Sequence, residues 1–549
     1  MKTGYMTLLV AFALSLLAIS PLASDGTGSI KIGYTSVDEE GSLEVNQESF
    51  NIYEGIGLSL TDWNFYFDNG VSLQANLKNL TLNNRLLEAQ VSKPGSFSFY
   101  ANNNQYRRFY GFDGSSFTRR NMSNVRFSFT PVKHVEFFGG YSLQDRHGLS
   151  ELRPLSSYDS DVIDTLTRVI DYKQSRISGG LKWTNKKSMI RAFYRGTTFD
   201  DQTPNDLDRS GDEINAVAST ILDWQKGMAL TAGYIYRKSA MDNLESELTT
   251  HQTWGAAKLA LPDQWQIEYR MSYGIAERIN EEDRTVDNIF NQVSLGKNIK
   301  EVGGLRVGYE SRVQDDFIQK VTSSGFVIDG WLKPTEQLYF NGSFTTRSED
   351  TDEGRRLLGD VDITRHQFTA TYTDTSWGRF RVRWQQRVRE NDPLLTEGLT
   401  GGIGLTTPET EEVNTRIEYS SLTPELTLRR AAYGSLTVSY SLITGSFENV
   451  NEDANYFFRD HVLTGTVTPR AVGPFEGDFS ASYFRSKRDN DIEKFNLHFG
   501  LTYTFLKTHH LEARYHAYNF DDFRDLGNNY TAYYTGNIVE VNLIKDLSF

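Results

Sequence analysis

Apolar and polar residues alternate along this chain over stretches of about ten residues, and a period of two admits very few folds. From Phe495, the sequence FNLHFGLTYTF puts Phe495, Leu497, Phe499, Leu501, Tyr503 and Phe505 on one side of an extended strand, and Asn496, His498, Gly500, Thr502 and Thr504 on the other. A tilted strand of about this length crosses a bilayer. Trp265, Ile267, Tyr269, Met271 and Tyr273 oppose Gln266, Glu268, Arg270 and Ser272 in the same way, as do Leu511, Ala513, Tyr515 and Ala517 against Glu512, Arg514, His516 and Tyr518. The final VEVNLIKDLSF repeats it, with Val539, Val541, Leu543, Lys545 and Leu547 on one parity before Phe549. In a soluble domain that segment would be an apolar edge strand, prone to aggregate. A closed membrane barrel pairs both edges and turns the oily face to lipid.

Composition agrees with a barrel and excludes helical spans. Hydrophobic residues make up 38% of the 549, mean hydropathy is −0.49, and no apolar run of about 18 residues follows the N-terminus. Alternation dilutes hydropathy in every window, so a barrel escapes that filter. MKTGYMTLLVAFALSLLAISPLASDG opens the chain with one Lys, an apolar stretch and then small residues. It reads as a secretory signal peptide over residues 1–24. The chain has no Cys, which rules out haem attachment through CxxCH, iron–sulfur ligation, thiol catalysis and disulfides in this polypeptide. Texture is uniform from about residue 57, with no linker, so we expect one large domain over 57–549, preceded by a periplasmic segment over 25–56 that has room for a first strand.

Connections between strands alternate in length. TNKKS from Thr184, LPDQ from Leu261, KPTEQ from Lys333, DTSWG from Asp374 and LKTHH from Leu506 are short. DDQTPNDLDRSGDE from Asp200, RINEEDRTVDN from Arg278, RSEDTDEGRRLLGD from Arg347 and the stretch 389–412 are long and charged, and they hold much of the net charge of −14. Short turns inside and long acidic loops outside the cell are the pattern of outer-membrane barrels. Candidate strands number about 24–26, and the even-number rule favours 26 once a strand is found within residues 29–54. Phe549, with Leu547, Leu543 and Val541 alternating before it, resembles the carboxy-terminal signal read by the barrel-assembly machinery.

One strand points to what the lumen holds. In WGRFRVRWQQRVRE from Trp377, Arg379, Arg381, Arg383, Arg387 and Arg389 share one face, while Phe380, Val382, Trp384 and Val388 share the other. An arginine at the lipid midplane costs about 2–4 kcal/mol, so five on that side are prohibitive and this face must look inward. It is either a plain solvated wall or a basic stripe that pairs with a guest or with lumen carboxylates such as Glu512, Glu476 and Asp478. Arg191 and Arg195 also face inward. Acidic loops DSDVID from Asp159 and DTDEG from Asp350 could bind calcium, but neither has EF-hand register and solvated loops are the simpler reading. GLTGGIGL from Gly398 lacks the strand–turn–helix setting of a nucleotide site. We expect no catalysis, no bound metal or cofactor and no nucleic-acid partner.

Size carries the functional expectation. Barrels of 16–18 strands already leave a channel and 22-stranded transporters are plugged, so a barrel of about 26 strands needs a filler. Its own loops or another protein must supply it. VSLQANLKNLTLNNRLLEAQVSKPGSFSFYANNNQYRRFYGFDG from Val71, RRNMSNVRFSFTPVKHVEFFGGYSLQDRHG from Arg119 and DYKQSRISGGLKWTNKKSMIRAFYRGTTF from Asp171 resemble the opening strands of the MtrB/PioB-type outer-membrane barrels of porin–cytochrome complexes. The likeness covers the first 200 or so residues by motif and the remainder by architecture. Some members carry a cysteine pair near the mature N-terminus, which this chain lacks. The resemblance implies an integral outer-membrane sheath around a periplasmic multihaem c-type cytochrome that meets a second cytochrome at the cell surface, with every haem in the partners. The alternative is a passive or substrate-selective porin narrowed by its own loops.

Overall fold

Strand β1 (Asp25–Gly41) pairs antiparallel with β26 (Tyr533–Ser548) over the register Thr27↔Ser548 to Gly41↔Tyr534. That pairing closes a sheet whose other members follow in chain order. In this computed structural model the described residues are 25–41, 52–109, 117–152, 166–203, 208–222, 227–241, 246–279, 284–315, 320–351, 360–391, 415–430, 432–449, 455–489, 491–523 and 533–548. After β1 come β2 (Gly55–Tyr66), β3 (Ser72–Lys78), β4 (Leu86–Lys93), β5 (Phe97–Phe109), β6 (Phe117–Val132), β7 (Val135–Leu152), β8 (Leu166–Thr184) and β9 (Ser188–Asp201). The next are β10 (Arg209–Leu222), β11 (Met228–Met241), β12 (Ser246–Ala260), β13 (Trp265–Ile279), β14 (Arg284–Ile299), β15 (Gly303–Asp315), β16 (Lys320–Leu332), β17 (Leu338–Thr351) and β18 (Val361–Asp374). The wall is completed by β19 (Gly378–Asn391), β20 (Thr415–Arg430), β21 (Gly434–Asn449), β22 (Tyr456–Pro469), β23 (Phe475–Arg488), β24 (Ile492–Leu506) and β25 (His509–Asp522).

The result is a closed 26-stranded antiparallel barrel. Closure satisfies the backbone groups that a lipid-exposed edge would leave unpaired. The expected extra strand is β1, so most of the segment assigned to the periplasm is wall. Its glycines and charges (DGTGSIKIGYTSVDEEG) weaken the hydrophobic alternation that identifies the other strands. Within the stretch 29–54 where that strand was expected, residues 42–51 lie outside the described residues, as does Phe549.

Sidedness follows the sequence parity. Phe495, Phe499, Leu501, Tyr503 and Phe505 stay exposed on the outer face. So do Val539, Val541 and Leu543, the last at 50%. Across β5, β6 and β7 the outer row runs Phe97↔Phe129↔Phe137. These side chains form the apolar belt that lipid covers.

Short turns at one rim are set by local side-chain bonds. The Asn185 carboxamide oxygen accepts from the backbone N–H of Lys187 at 2.8 Å and of Ser188 at 2.6 Å. Asp374 accepts from the Ser376 N–H at 2.7 Å. Asx turns of this kind fix hairpin connections. At the other rim the strands run farther than the sequence suggests: β9 and β10 extend to Asp201 and from Arg209, inside the stretch read as a loop, and β13 and β14 do the same at Ile279 and Arg284. Polar residues on both faces hide a strand from a hydrophobic pattern, while backbone pairing above the bilayer continues regardless. Residues 204–207 and 280–283 lie outside the described residues.

A bulge shapes the early wall. Asp62 takes a φ of 57° and the β2–β3 register shifts between Leu60 and Trp63. The extra residue puts Leu60 and Trp63 on one side, where they pack with Phe65, Leu73, Ala75 and Leu77 into a buried apolar cluster. Gly28 makes room, because a Cβ there would lie 2.9 Å from the Trp63 ring.

The lumen side of the closing seam is laced with polar bonds. Glu512 accepts from Lys31 Nζ at 2.6 Å, Arg514 Nε at 2.9 Å and Asn542 Nδ2 at 3.1 Å. Asp546 accepts from Ser29 Oγ at 2.7 Å and meets His510 Nε2 at 2.7 Å. His510 therefore lies in β25, beyond the turn to which its sequence position assigned it. Glu512→Ala removes the acceptor shared by two cations, and we expect a loss of about 1–3 kcal/mol, read as a lower urea midpoint of the barrel in liposomes.

Candidate lumen interface

All five arginines of β19 face the lumen. Register places Arg381 opposite Thr371 and Glu425, Arg383 opposite Thr369 and Thr423, Arg387 opposite Arg365 and Tyr419, and Arg389 opposite Ile363 and Ile417. On the other face Phe380 remains 43% exposed. The stripe read from the sequence is thus one continuous wall, but the structure divides it in two.

Its lower half is neutralised. Arg379 Nη2 donates to Glu425 Oε1 at 2.8 Å and Arg381 Nη2 to Glu425 Oε2 at 2.6 Å. One carboxylate bridges two guanidinium groups, the charge-assisted geometry arginine favours. Glu512, Glu476 and Asp478, offered above as partners, are not in contact with the stripe. They lie on β23 and β25, four to six strands farther along the wall, and neighbouring strands are about 4.8 Å apart. Glu512 serves the seam, and Asp478 Oδ2 meets His498 Nε2 at 2.7 Å.

The upper half keeps its charge. Arg383, Arg387 and Arg389, joined by Arg365 of β18, make no ion pair among the described residues. Arg365 and Arg387 are directly opposed across the strands, an arrangement of like charges that disfavours pairing unless anions or water offset it. Tyr419 and Ile417 border the resulting depression with Gln367 and Gln385.

A second basic wall was not legible as a motif. Arg126 of β6, Arg176 of β8 and Arg191 and Arg195 of β9 line one lumen depression with Tyr100, Phe138 and Phe193. The Arg191 guanidinium lies 4.8 Å from the Phe138 ring centroid and 5.1 Å from that of Phe193. Arg195 lies 5.5 Å from Phe193 and Arg126 5.9 Å from Tyr100. Inward parity flags Arg191 and Arg195. Arg126 and Arg176 stand on two further strands, and only register collects them.

Elsewhere several lumen arginines are paired. Arg306 pairs with Asp329 at 2.6 Å and Glu268 at 3.4 Å, and Arg270 with Glu268 at 2.5 Å. Arg347 pairs with Glu349 at 2.7 Å. Among the described residues no group of three or more His, Asp or Glu side chains could hold a metal. Of the acidic loops, residues 153–165 and 352–359 lie outside the described residues.

A closed antiparallel barrel with an apolar outer belt and a charged lumen is an integral β-barrel of a bacterial outer membrane. Solved structures of that class share its fold. The chain is similar to a ferric enterobactin receptor from Pseudomonas aeruginosa, with 9% identity and a TM-score of 0.50 over 95% of this chain and 80% of that one. It is similar also to FpvA of P. aeruginosa, whose structure was solved with heterologous pyoverdines, with 9% identity and a TM-score of 0.50 over 95% of this chain and 72% of that one. No protein-family model and no curated protein matches the sequence.

Proposed function

We propose that the barrel is a sheath for a periplasmic multihaem c-type cytochrome, which it insulates from lipid and presents to a cytochrome at the cell surface, so that electrons cross the outer membrane through haems carried by the partners. The observation that carries this reading is the group Arg365, Arg383, Arg387 and Arg389, which no described carboxylate pairs, set in a very wide bore. With strands about 4.8 Å apart and tilted by about 40°, a round section of 26 strands is roughly 50 Å across between opposite backbones. Side chains reaching about 5 Å from each wall leave roughly 40 Å. A compact chain of about 100 residues, with a radius of gyration near 13 Å, is about 34 Å across and fits. The MtrB/PioB-type resemblance of the first strands supports the same assignment.

A second reading has its own observation. The similar solved structures are a ferric enterobactin receptor and FpvA bound to pyoverdines, and basic walls favour anionic solutes. The tagged barrel, purified in mild detergent from the cells that make it, separates the two. We expect a haem-staining polypeptide to accompany it. A barrel free of haem that conducts alone in a planar bilayer with anion selectivity would replace the sheath with a solute pathway.

A further inference from the structure

We infer that the arginine–aromatic wall of β6–β9 is a second docking surface for carboxylates of the protein in the lumen, so that this guest is held between two basic walls. The inference rests on the sheath reading and adds where and how the guest is gripped. Arg126, Arg176 and Arg191 make no ion pair among the described residues. Arg195 shares Glu213 with Arg237, at 3.7 and 3.2 Å. Rings lie against three of the four guanidinium groups, Tyr100 by Arg126, Phe193 by Arg195, and both Phe138 and Phe193 by Arg191. Stacking of this kind holds the planar fork, so less freedom is lost when it engages a carboxylate with two parallel bonds.

Placement selects the occupant. The centre of β6–β9 is about eleven strands from the Arg365–Arg389 patch in one direction and about fifteen in the other around the 26-stranded ring, so the two walls face each other. Across roughly 40 Å no small anion touches both, and the Debye length of about 8 Å at physiological salt removes any mutual influence. One body spanning the bore can meet both, provided it carries carboxylates on two opposed sides. The neutralised sectors, at Arg306–Asp329 and at the Lys31–Glu512 seam, ask for no such charge.

The test is salt release of the haem-staining polypeptide from the immobilised full-length barrel. The variant R126Q/R176Q/R191Q should release it at half the NaCl concentration that the wild type needs, or less, while R126K/R176K/R191K should hold it at close to the wild-type concentration. Heat-modifiable gel mobility checks that each barrel is folded, and the three single Gln variants replace the triple if it is not. Equal release from wild type and the folded Gln variants overturns the second surface and leaves the sheath standing. A wild-type barrel that carries no haem-staining polypeptide overturns the sheath, and the surface with it.

Discussion

Val382→Arg should destabilise the inserted barrel by about 2–4 kcal/mol, although the residues on either side of it in the chain are already arginines. Val382 lies between Phe380 and Trp384 on the outer face of β19, opposite Ala370 and Pro424 on the adjoining strands. It is four residues from the short turn at Gly378, about 10 Å along the barrel axis in a tilted strand. A guanidinium there has no water and no carboxylate. Gln385, on the lumen face opposite Gln367 and Ser421, is the control, and Gln385→Arg should stay within about 0.5 kcal/mol. Urea unfolding in liposomes reads both. Equal effects of the two substitutions would mean that the assigned sidedness of β19 is wrong.

The triple variant R383Q/R387Q/R389Q should weaken retention of the lumen guest by roughly ten- to a hundredfold. Exposed arginine–carboxylate contacts contribute about 0.5–1 kcal/mol each, and three of them correspond to that range at 1.4 kcal/mol per tenfold. Barrel stability should hardly move, because none of the three makes an ion pair within the described wall. R379Q/R381Q should behave in the opposite manner, since it strips Glu425 of both its partners and so acts on the barrel more than on the guest. Binding of the haem-staining polypeptide to the immobilised barrel, measured beside urea midpoints, separates the two pairs of outcomes. Unchanged binding by the triple variant would remove β19 from the docking surface.

What could be read from the sequence was whatever lipid enforces. Solvation of Phe495–Phe505 or Arg379–Arg389 depends only on parity within one strand, so sidedness followed from local pattern and the observed faces agree with it. Pairing between strands is a matter of register, and the sequence does not print register. Glu425 lies 44 residues from Arg381 yet is its direct neighbour. Arg126, Arg176 and Arg191 are far apart in the chain, and hydrogen-bonded ladders through β7 and β9 bring them to one depression. β1 is masked in the sequence because Gly26, Gly28 and Gly33 dilute its pattern, and Gly28 is glycine for a reason that appears only once Trp63 is folded against it.

The pairing of β1 with β26 joins residues such as Ser29 and Asp546, 517 positions apart. No shorter-range contact can substitute for it, so the ring is an open ribbon with two unsatisfied margins until β26 reaches β1. Extreme contact order makes that step slow, and bare margins recruit other chains in the meantime. Such a polypeptide gains from being kept apart from other chains until β26 has joined β1.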